Sequence, residues 1–456
     1  MYDLLSGIMS LTDADQNHSG GDIMRSQISL FGMGAWLLAA AGTVQGATIV
    51  VPNDVPTIQG AVNVALGGDT VKVLPGIYFE NVVVPPGKDG LRIVGPTAKS
   101  VTVDASPLAP AGSGPGFHVQ ADFVTIAGMT IRNARPNGPV EGDGVLCEAT
   151  GCTLQGLVLA GNDEDGADVT GANALITQCI FSGNEDSGLE LDGNNAEITR
   201  NISDHAGEVG YRLHGDNLLV ENNKSKVIDD GAGFEVHGAN NRILGNRAEI
   251  GTGDGFLITC AGSCSGLRIQ KNLAFAVSDD DEGFDIFVAP GSGSNWIVEK
   301  NVARDNVSYG FLIHGSDGVI FGNKATNNGT ESEHGFLIIG DGNEVSANQA
   351  FSNDADGFNL AGNSNIVANN KANENRGNGI HLDSGAGNTI FRNFVSKSLA
   401  DGIRNDGTNT TLTSNTVGKN RKDCVSDLVG GASVLAESGN KCADNSLFSL
   451  TLPSFP

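Results

Sequence analysis

A repeat constrains this chain more than any other feature. A glycine followed by a hydrophobic residue recurs at Gly144, Gly166, Gly188, Gly210, Gly233, Gly255, Gly283, Gly310, Gly335, Gly357, Gly379 and Gly402, in steps of 22, 22, 22, 23, 22, 28, 27, 25, 22, 22 and 23 residues. Such a period means stacked units, each touching its neighbours, rather than a succession of independent lobes. One unit, Gly335 to Asn353, reads "GFLIIGDGNEVSANQAFSN". Its alternating apolar and polar residues divide into three short strands.

Residues one and three places after the anchor glycine face one way, and those two and four places after it face the other. The first inner position holds Tyr211, Phe234, Phe256, Phe284, Phe311, Phe336 and Phe358 in consecutive units. With units about 4.8 Å apart, these rings should stack as an offset column in the core. A second column, about thirteen residues after each glycine, is Asn201, Asn223, Asn246, Asn272, Asn301, Asn323, Asn348, Asn370, Asn393 and Asn415. Asparagine carries both donors and an acceptor, so it can bond up and down the stack and hold a sharp turn. Cys179 occupies that position one unit earlier, where a buried free thiol is expected.

A three-strand coil repeating about every 22 residues, with an asparagine column and an aromatic stack, resembles the right-handed, single-stranded parallel β-helix. The resemblance runs from about Ala47 to the C-terminal region and implies an all-β solenoid. It implies little about activity, since one scaffold carries many. The composition agrees, with 64 glycines and 5% aromatic residues suiting a chain of many tight corners. No linker interrupts the repeat, so the chain is read as one solenoid: N-terminal cap and first coils over 47–115, rungs over 116–424, and a C-terminal cap or tail over 425–456.

The beginning of the chain reads as targeting. Met24 and Arg25 precede the apolar run "ISLFGMGAWLLAAAGTV", and Val44-Gln45-Gly46 supplies small residues before Ala47, as in a secretory signal over 24–46. An uncleaved anchor is the alternative; no other stretch suits a membrane span. Residues 1–23, polar and aperiodic, read as an unstructured extension or an upstream mis-start. A secreted or periplasmic protein can form disulfides, and Cys147–Cys152, Cys260–Cys264 and Cys424–Cys442 are the expected pairs.

From Thr57 the chain reads "TIQGAVNVALGGDTVKVLPGIYFENVVV". Ile58, Ala61, Val62 and Ala65 share one helical face, and a short helix there would cover the open end of the first coil. This opening resembles the start of pectin methylesterases and of the NosD-type periplasmic β-helix proteins of nitrous oxide reductase maturation. The esterases' later Gln and Asp motifs have no match. Asp229-Asp230 and His237-Gly238 resemble fragments of polygalacturonases, but their order and spacing differ and no N-T-D element precedes them. The D-P-H-D signature of mannuronan epimerases is absent, so no specific enzyme family is matched.

The formal net charge is −26; the first 46 residues hold four aspartates against Arg25, which leaves about −23 on the remainder. That excludes nucleic acid as a natural partner and disfavours a polyanion unless cations intervene. Each anchor glycine has an acid within the six residues before it, including Asp143, Asp165, Asp186, Asp230, Asp254, Glu282, Asp356 and Asp401. Stacking would align these into an acidic ridge. Asp-Gly is ordinary turn chemistry; carboxylates about 5 Å apart would alternatively raise one another's pKa or recruit a hard cation such as calcium. Asp279, Asp280, Asp281 and Glu282, beside Asp254 and Asp230, form the candidate metal site, without EF-hand spacing or a G-G-x-G-x-D repeat.

A sharper constellation lies two and four residues after the anchors, on the outer face. Consecutive units carry Glu190 and Asp192, Arg212 and His214, then Glu235 and His237. These are the candidate catalytic residues: His214 or His237 as a base at C5 of a uronic acid, Arg212 as charge stabiliser, and Glu235 or Glu190 as the orienting carboxylate. A hydrolase would instead use two of the carboxylates. Farther along, Asp285, His314, His381, Asp383 and Arg404 are candidate substrate-binding residues, with Leu257, Leu312, Leu337 and Ile339 as an apolar groove floor. Three function classes follow. One is an exported, monomeric enzyme acting on polysaccharide, as a uronate-directed lyase or epimerase or as a glycosidase. The second is a non-catalytic glycan- or partner-binding protein. The third is a NosD-like metal-delivery accessory, although the five methionines, two in the signal region and two before it, offer no soft copper track.

Overall fold

The computed structural model describes residues 46–106, 114–139, 141–278, 281–330, 332–427 and 434–443. The expected N-terminal extension, nearly all of the expected signal segment, Asp279, Asp280 and much of the C-terminal tail lie outside the described residues.

Among the described residues are 48 strands and one short helix, Ile58–Val64. The strands form three sheets, of 15, 17 and 16 strands, and each strand pairs in parallel with its counterparts one turn away. The strands after the anchor glycines all belong to the 15-stranded sheet, here termed the anchor sheet. Its register follows the repeat: Val145 pairs with Ala167, Ala167 with Leu189, Leu189 with Tyr211 and Tyr211 with Phe234. Equivalent residues therefore stand directly above one another. The anchors are glycine because rungs approach closely there; a Cβ on Gly310 would meet the Gly335 carbonyl oxygen at 2.7 Å.

The core is built from ladders. Tyr211, Phe234, Phe256, Phe284, Phe311, Phe336 and Phe358 are fully buried, with neighbouring ring centroids 4.7 to 4.9 Å apart and planes within 9° of parallel. The asparagine column is also buried. Asn323 donates from Nδ2 to Asn348 Oδ1 at 3.0 Å and to the Val298 carbonyl at 2.8 Å, and its backbone N–H donates to the same Oδ1 at 2.8 Å. The residue before each ladder asparagine turns the corner in the left-handed region, as Arg200 (φ 59°), Lys300 (φ 55°) and Arg392 (φ 55°) do. Cys179 is buried and its backbone N–H donates to Asn201 Oδ1, which joins it to the column. Two further asparagine ladders, which the sequence reading did not single out, line the other corners: Asn306–Asn328–Asn353–Asn375 and Asn343–Asn365–Asn388.

At the N-terminal end Thr57 caps the helix by accepting the Gly60 N–H, and Ile58, Ala61, Val62 and Ala65 are wholly buried. No helix among the described residues is long and apolar enough to cross a membrane.

Two expectations are corrected. Cys260–Cys264 and Cys424–Cys442 are disulfides, whereas Cys147 and Cys152 are free, buried thiols. A hydrogen bond with Cys147, together with burial, pushes the Cys152 thiol well above its ordinary range, which disfavours the thiolate that bridging requires. The acidic ridge is also discontinuous. The residues stacked just before the anchors run Asp143, Asp165, Ser187, Val209, Ala232, Asp254, Glu282, Tyr309, His334 and Asp356. Asp143, Asp165, Asp254 and Asp356 each spend one carboxylate oxygen on the backbone N–H of the next rung, so much of this acidity is corner chemistry.

Candidate functional site

The anchor sheet brings the six candidate catalytic residues together on its outer face. Glu190 pairs with Arg212 and Arg212 with Glu235, while Asp192 pairs with His214 and His214 with His237. Arg212 is held from three sides, by Glu190 at 3.0 Å, Glu235 at 3.5 Å and Glu208 at 2.9 Å. Glu208 was missed in the sequence because it lies in the preceding corner, four residues before Arg212. It is also the most exposed of the three, at 52% against 34% and 22%.

Glu235 also accepts a hydrogen bond from His237 Nε2 at 2.8 Å. That arrangement assigns the proton to Nε2 and leaves the lone pair on Nδ1. The His237 hydrogen bond, with the Arg212 charge nearby, outweighs burial and holds the Glu235 carboxyl below its usual range. His214 lies edge-on to His237, with centroids 4.9 Å apart. One ligand atom each of His214, Glu235 and His237 falls within 4.8 Å of the others.

Glu235 and Leu257 line a cavity of about 310 Å³ whose other lining residues include Asp230, Thr252, Asp254 and Asp281. The two candidate sites read from the sequence, one catalytic and one metal-binding, thus share a cavity. Asp254, Asp281 and Glu282 each bring an oxygen within 4.8 Å of the other two; Asp230 lines the cavity without joining that group. Burial pushes Asp254 up to about 8, and the neighbouring Glu282 adds to it.

The candidate substrate-binding residues divide into two groups. Asp285 lies across the sheet from Leu312, and His314 from Phe287, at mid-sheet. Farther along, His381 is bonded on both nitrogens, Nδ1 to Asp356 at 3.0 Å and Nε2 to Asp406 at 3.1 Å, and Arg404 pairs with Asp406 at 2.8 Å. Asp383 sits at a register shift opposite Leu360 and Ala361; its exposed side chain lies 4.0 Å from His381. Asp406, not among the residues expected from the sequence, stands four residues after Gly402, the same offset that selects Asp192 and His214. The apolar strip is real: Leu257, Leu312 and Leu337 are half-buried, while Phe287 and Ile339 are exposed.

Fold and site together define a right-handed β-helix protein with an ionisable, cavity-bearing outer face. A family model for right-handed beta helix regions matches residues 115–275 and 225–350, more than half of the chain, and the chain belongs to that family. A model for the periplasmic copper-binding protein NosD matches residues 305–449. Solved structures to which this chain is similar include the A-module of the mannuronan C-5 epimerase AlgE6 of Azotobacter vinelandii, at 14% identity over 84% of this chain and 93% of that one, with a TM-score of 0.38. The catalytic domain of a GH87 alpha-1,3-glucanase gives 12% identity, 89% and 67% coverage and a TM-score of 0.39. Tailspike protein 3 of bacteriophage CBA120 gives 12% identity, 84% and 57% coverage and a TM-score of 0.42. No curated protein matches significantly. In the NosD-like segment no methionine occurs and Cys424 and Cys442 are bonded to each other, so its donors do not fit a soft copper(I) site.

Proposed function

We propose that the chain is an exported protein that acts on a polysaccharide by removing the C5 proton of a uronic acid, as a lyase or an epimerase. The observation that carries this reading is the Glu235–His237 hydrogen bond beside a cavity that Glu235 shares with Asp254. His237 Nδ1 takes the proton, and Glu235 stabilises the imidazolium that forms. As the C5–H bond breaks, its electron pair spreads into the adjoining carboxylate, where Arg212 offsets the developing charge. Asp254, whose carboxyl burial raises to about 8, is the candidate to return one, either to the departing C4 oxygen as the C4–C5 double bond forms or to the opposite face of C5. A substrate carboxylate would replace the exposed Glu208 at Arg212.

Hydrolysis by Glu235 and Glu190 as the carboxylate pair fits less well, because one of the two would have to be a proton donor. Glu235 is held ionised by His237, and Glu190 is committed to Arg212 at 3.0 Å. A second reading, a glycan-binding face without catalysis, is favoured by the strip of Leu257, Leu312, Leu337, Phe287 and Ile339, which offers apolar contact to sugar rings. Incubating a panel of polyuronates with the protein in deuterated water separates the two. Deuterium at C5 or an unsaturated product supports proton abstraction; retention of the glycan with neither supports binding alone.

A further inference from the structure

Two to three rungs before Arg212, at the edge of the same face, three carboxylates converge outside the site described above. Glu141 and Asp143 precede the anchor Gly144, and Asp168 lies on the next strand, where it pairs in register with Leu146 and Glu190. One oxygen from each of the three lies within 4.8 Å of the other two. An acidic cluster is common without any ligand, and the distinguishing feature here is what its oxygens lack. Asp143 is 1% exposed; its Oδ1 accepts the Asp165 N–H, while its Oδ2 is buried without any hydrogen-bond partner. Asp168 Oδ1 is buried without a partner as well. A buried, unpaired carboxylate oxygen is costly, and two of them facing a third carboxylate are more so.

The surroundings deepen the deficit. After burial, the charges that act most on Asp168 are Glu141, Glu190, Glu148 and Asp192, all of the same sign. Burial first, and then such neighbours, push Asp143 up to about 9 and Asp168 to about 7. Two buried oxygens without partners, among three converging carboxylates, call for protons or a cation. Its donors are oxygens only, which selects a hard ion, and Glu141 is exposed, which leaves coordination positions open to water.

We propose that Glu141, Asp143 and Asp168 bind a divalent cation, calcium being the ion their chemistry fits. Three carboxylates at flexible spacing suit calcium, whereas magnesium keeps most of its water and takes one or two. The site stands independently of the proton-abstraction reading, since none of its three residues touches His237 or Glu235.

Calorimetric titration of the full chain with calcium, in parallel with magnesium at matched ionic strength, tests the site. Wild type should bind calcium in preference to magnesium. Asp143→Asn keeps an oxygen for the Asp165 N–H and should weaken calcium binding by at least the ~10 to 100-fold that loss of a mere outer partner costs. Without calcium the variant should melt no lower than wild type, because the amide that replaces the unpartnered Oδ2 can donate to the neighbouring carboxylates. Should Asp143→Asn fail to fold, Glu141→Gln, on an exposed side chain, should weaken calcium binding in the same direction. Absence of calcium binding to wild type overturns the proposal. So does full retention of binding in these variants, which would move the ion elsewhere, with Asp254, Asp281 and Glu282 as the next candidates. Equal or tighter binding of magnesium overturns the choice of ion.

Discussion

His214 and His237 occupy directly paired positions on adjacent rungs, with ring centroids 4.9 Å apart, and His237 in addition holds Glu235 through a 2.8 Å hydrogen bond. The register thus gives the two imidazoles the same address and different partners. Only a base whose other nitrogen is fixed by a carboxylate has its tautomer set in advance. His237→Ala should therefore lower turnover on a responsive polyuronate by about 10² to 10⁴-fold, and His214→Ala by distinctly less. Both side chains are half-buried on the outer face, so stability should change by about 0.5 kcal/mol or less. Initial rates and melting curves measure the two effects. Equal activity losses, or loss of activity only together with stability, would remove His237 from its assigned role.

Glu208 makes an opposite prediction. It is an exposed carboxylate paired with Arg212 four residues along the chain, and such pairs contribute little to stability. Glu208→Gln should free one face of the guanidinium and lower the KM for an anionic oligosaccharide several-fold, while kcat and melting temperature stay close to wild type. Because the chain is strongly acidic, added salt should also favour the encounter by screening repulsion. A KM that rises in Glu208→Gln would show that Glu208 binds substrate itself.

The legible part of this molecule is the part fixed by period. The aromatic column, the Asn201 to Asn415 column and the pairing of Glu190, Arg212 and Glu235 all follow from spacing, because each unit repeats the last and the register never slips between Val145 and Phe234. What spacing does not encode is contact across corners and between thiols. Glu208 reaches Arg212 around a turn, and Cys147 meets Cys152 without bridging it. The continuous acidic ridge failed for a related reason. Acids within a six-residue window need not share one position, and Ser187, Val209 and Ala232 occupy the stacked position midway.

The asparagine ladder should respond to substitution as a hydrogen-bond network rather than as packing. Asn323 accepts from the backbone N–H and Nδ2 of Asn301 at 2.9 and 3.0 Å, and donates to Asn348 and Val298. Asn323→Ala leaves several of these buried groups without partners, at about 1 to 3 kcal/mol for each group that finds no water. A loss on the order of 3 kcal/mol is expected in denaturant unfolding. A loss below about 1 kcal/mol would mean that the corner relaxes and the ladder is not a principal restraint.

His381 and His334 should give the solenoid opposite pH responses from adjoining positions. Burial alone would lower His381, but hydrogen bonds to Asp356 and Asp406 outweigh it and the net shift is upward. A base raised in the folded state contributes its stability fully below its unfolded value of roughly 6.5, and the contribution fades as pH climbs through the raised native value. His334 is lowered, chiefly by burial, against the pull of Asp356. Its contribution is present above about 6.5 and is lost as pH falls through the lowered native value. Unfolding free energy measured across this range should therefore lose part of its alkaline decline in His381→Asn and part of its acid decline in His334→Asn. If His381→Asn instead leaves the alkaline limb unchanged, the two aspartates do not hold that imidazole charged, and its double hydrogen bond is not an ion pair.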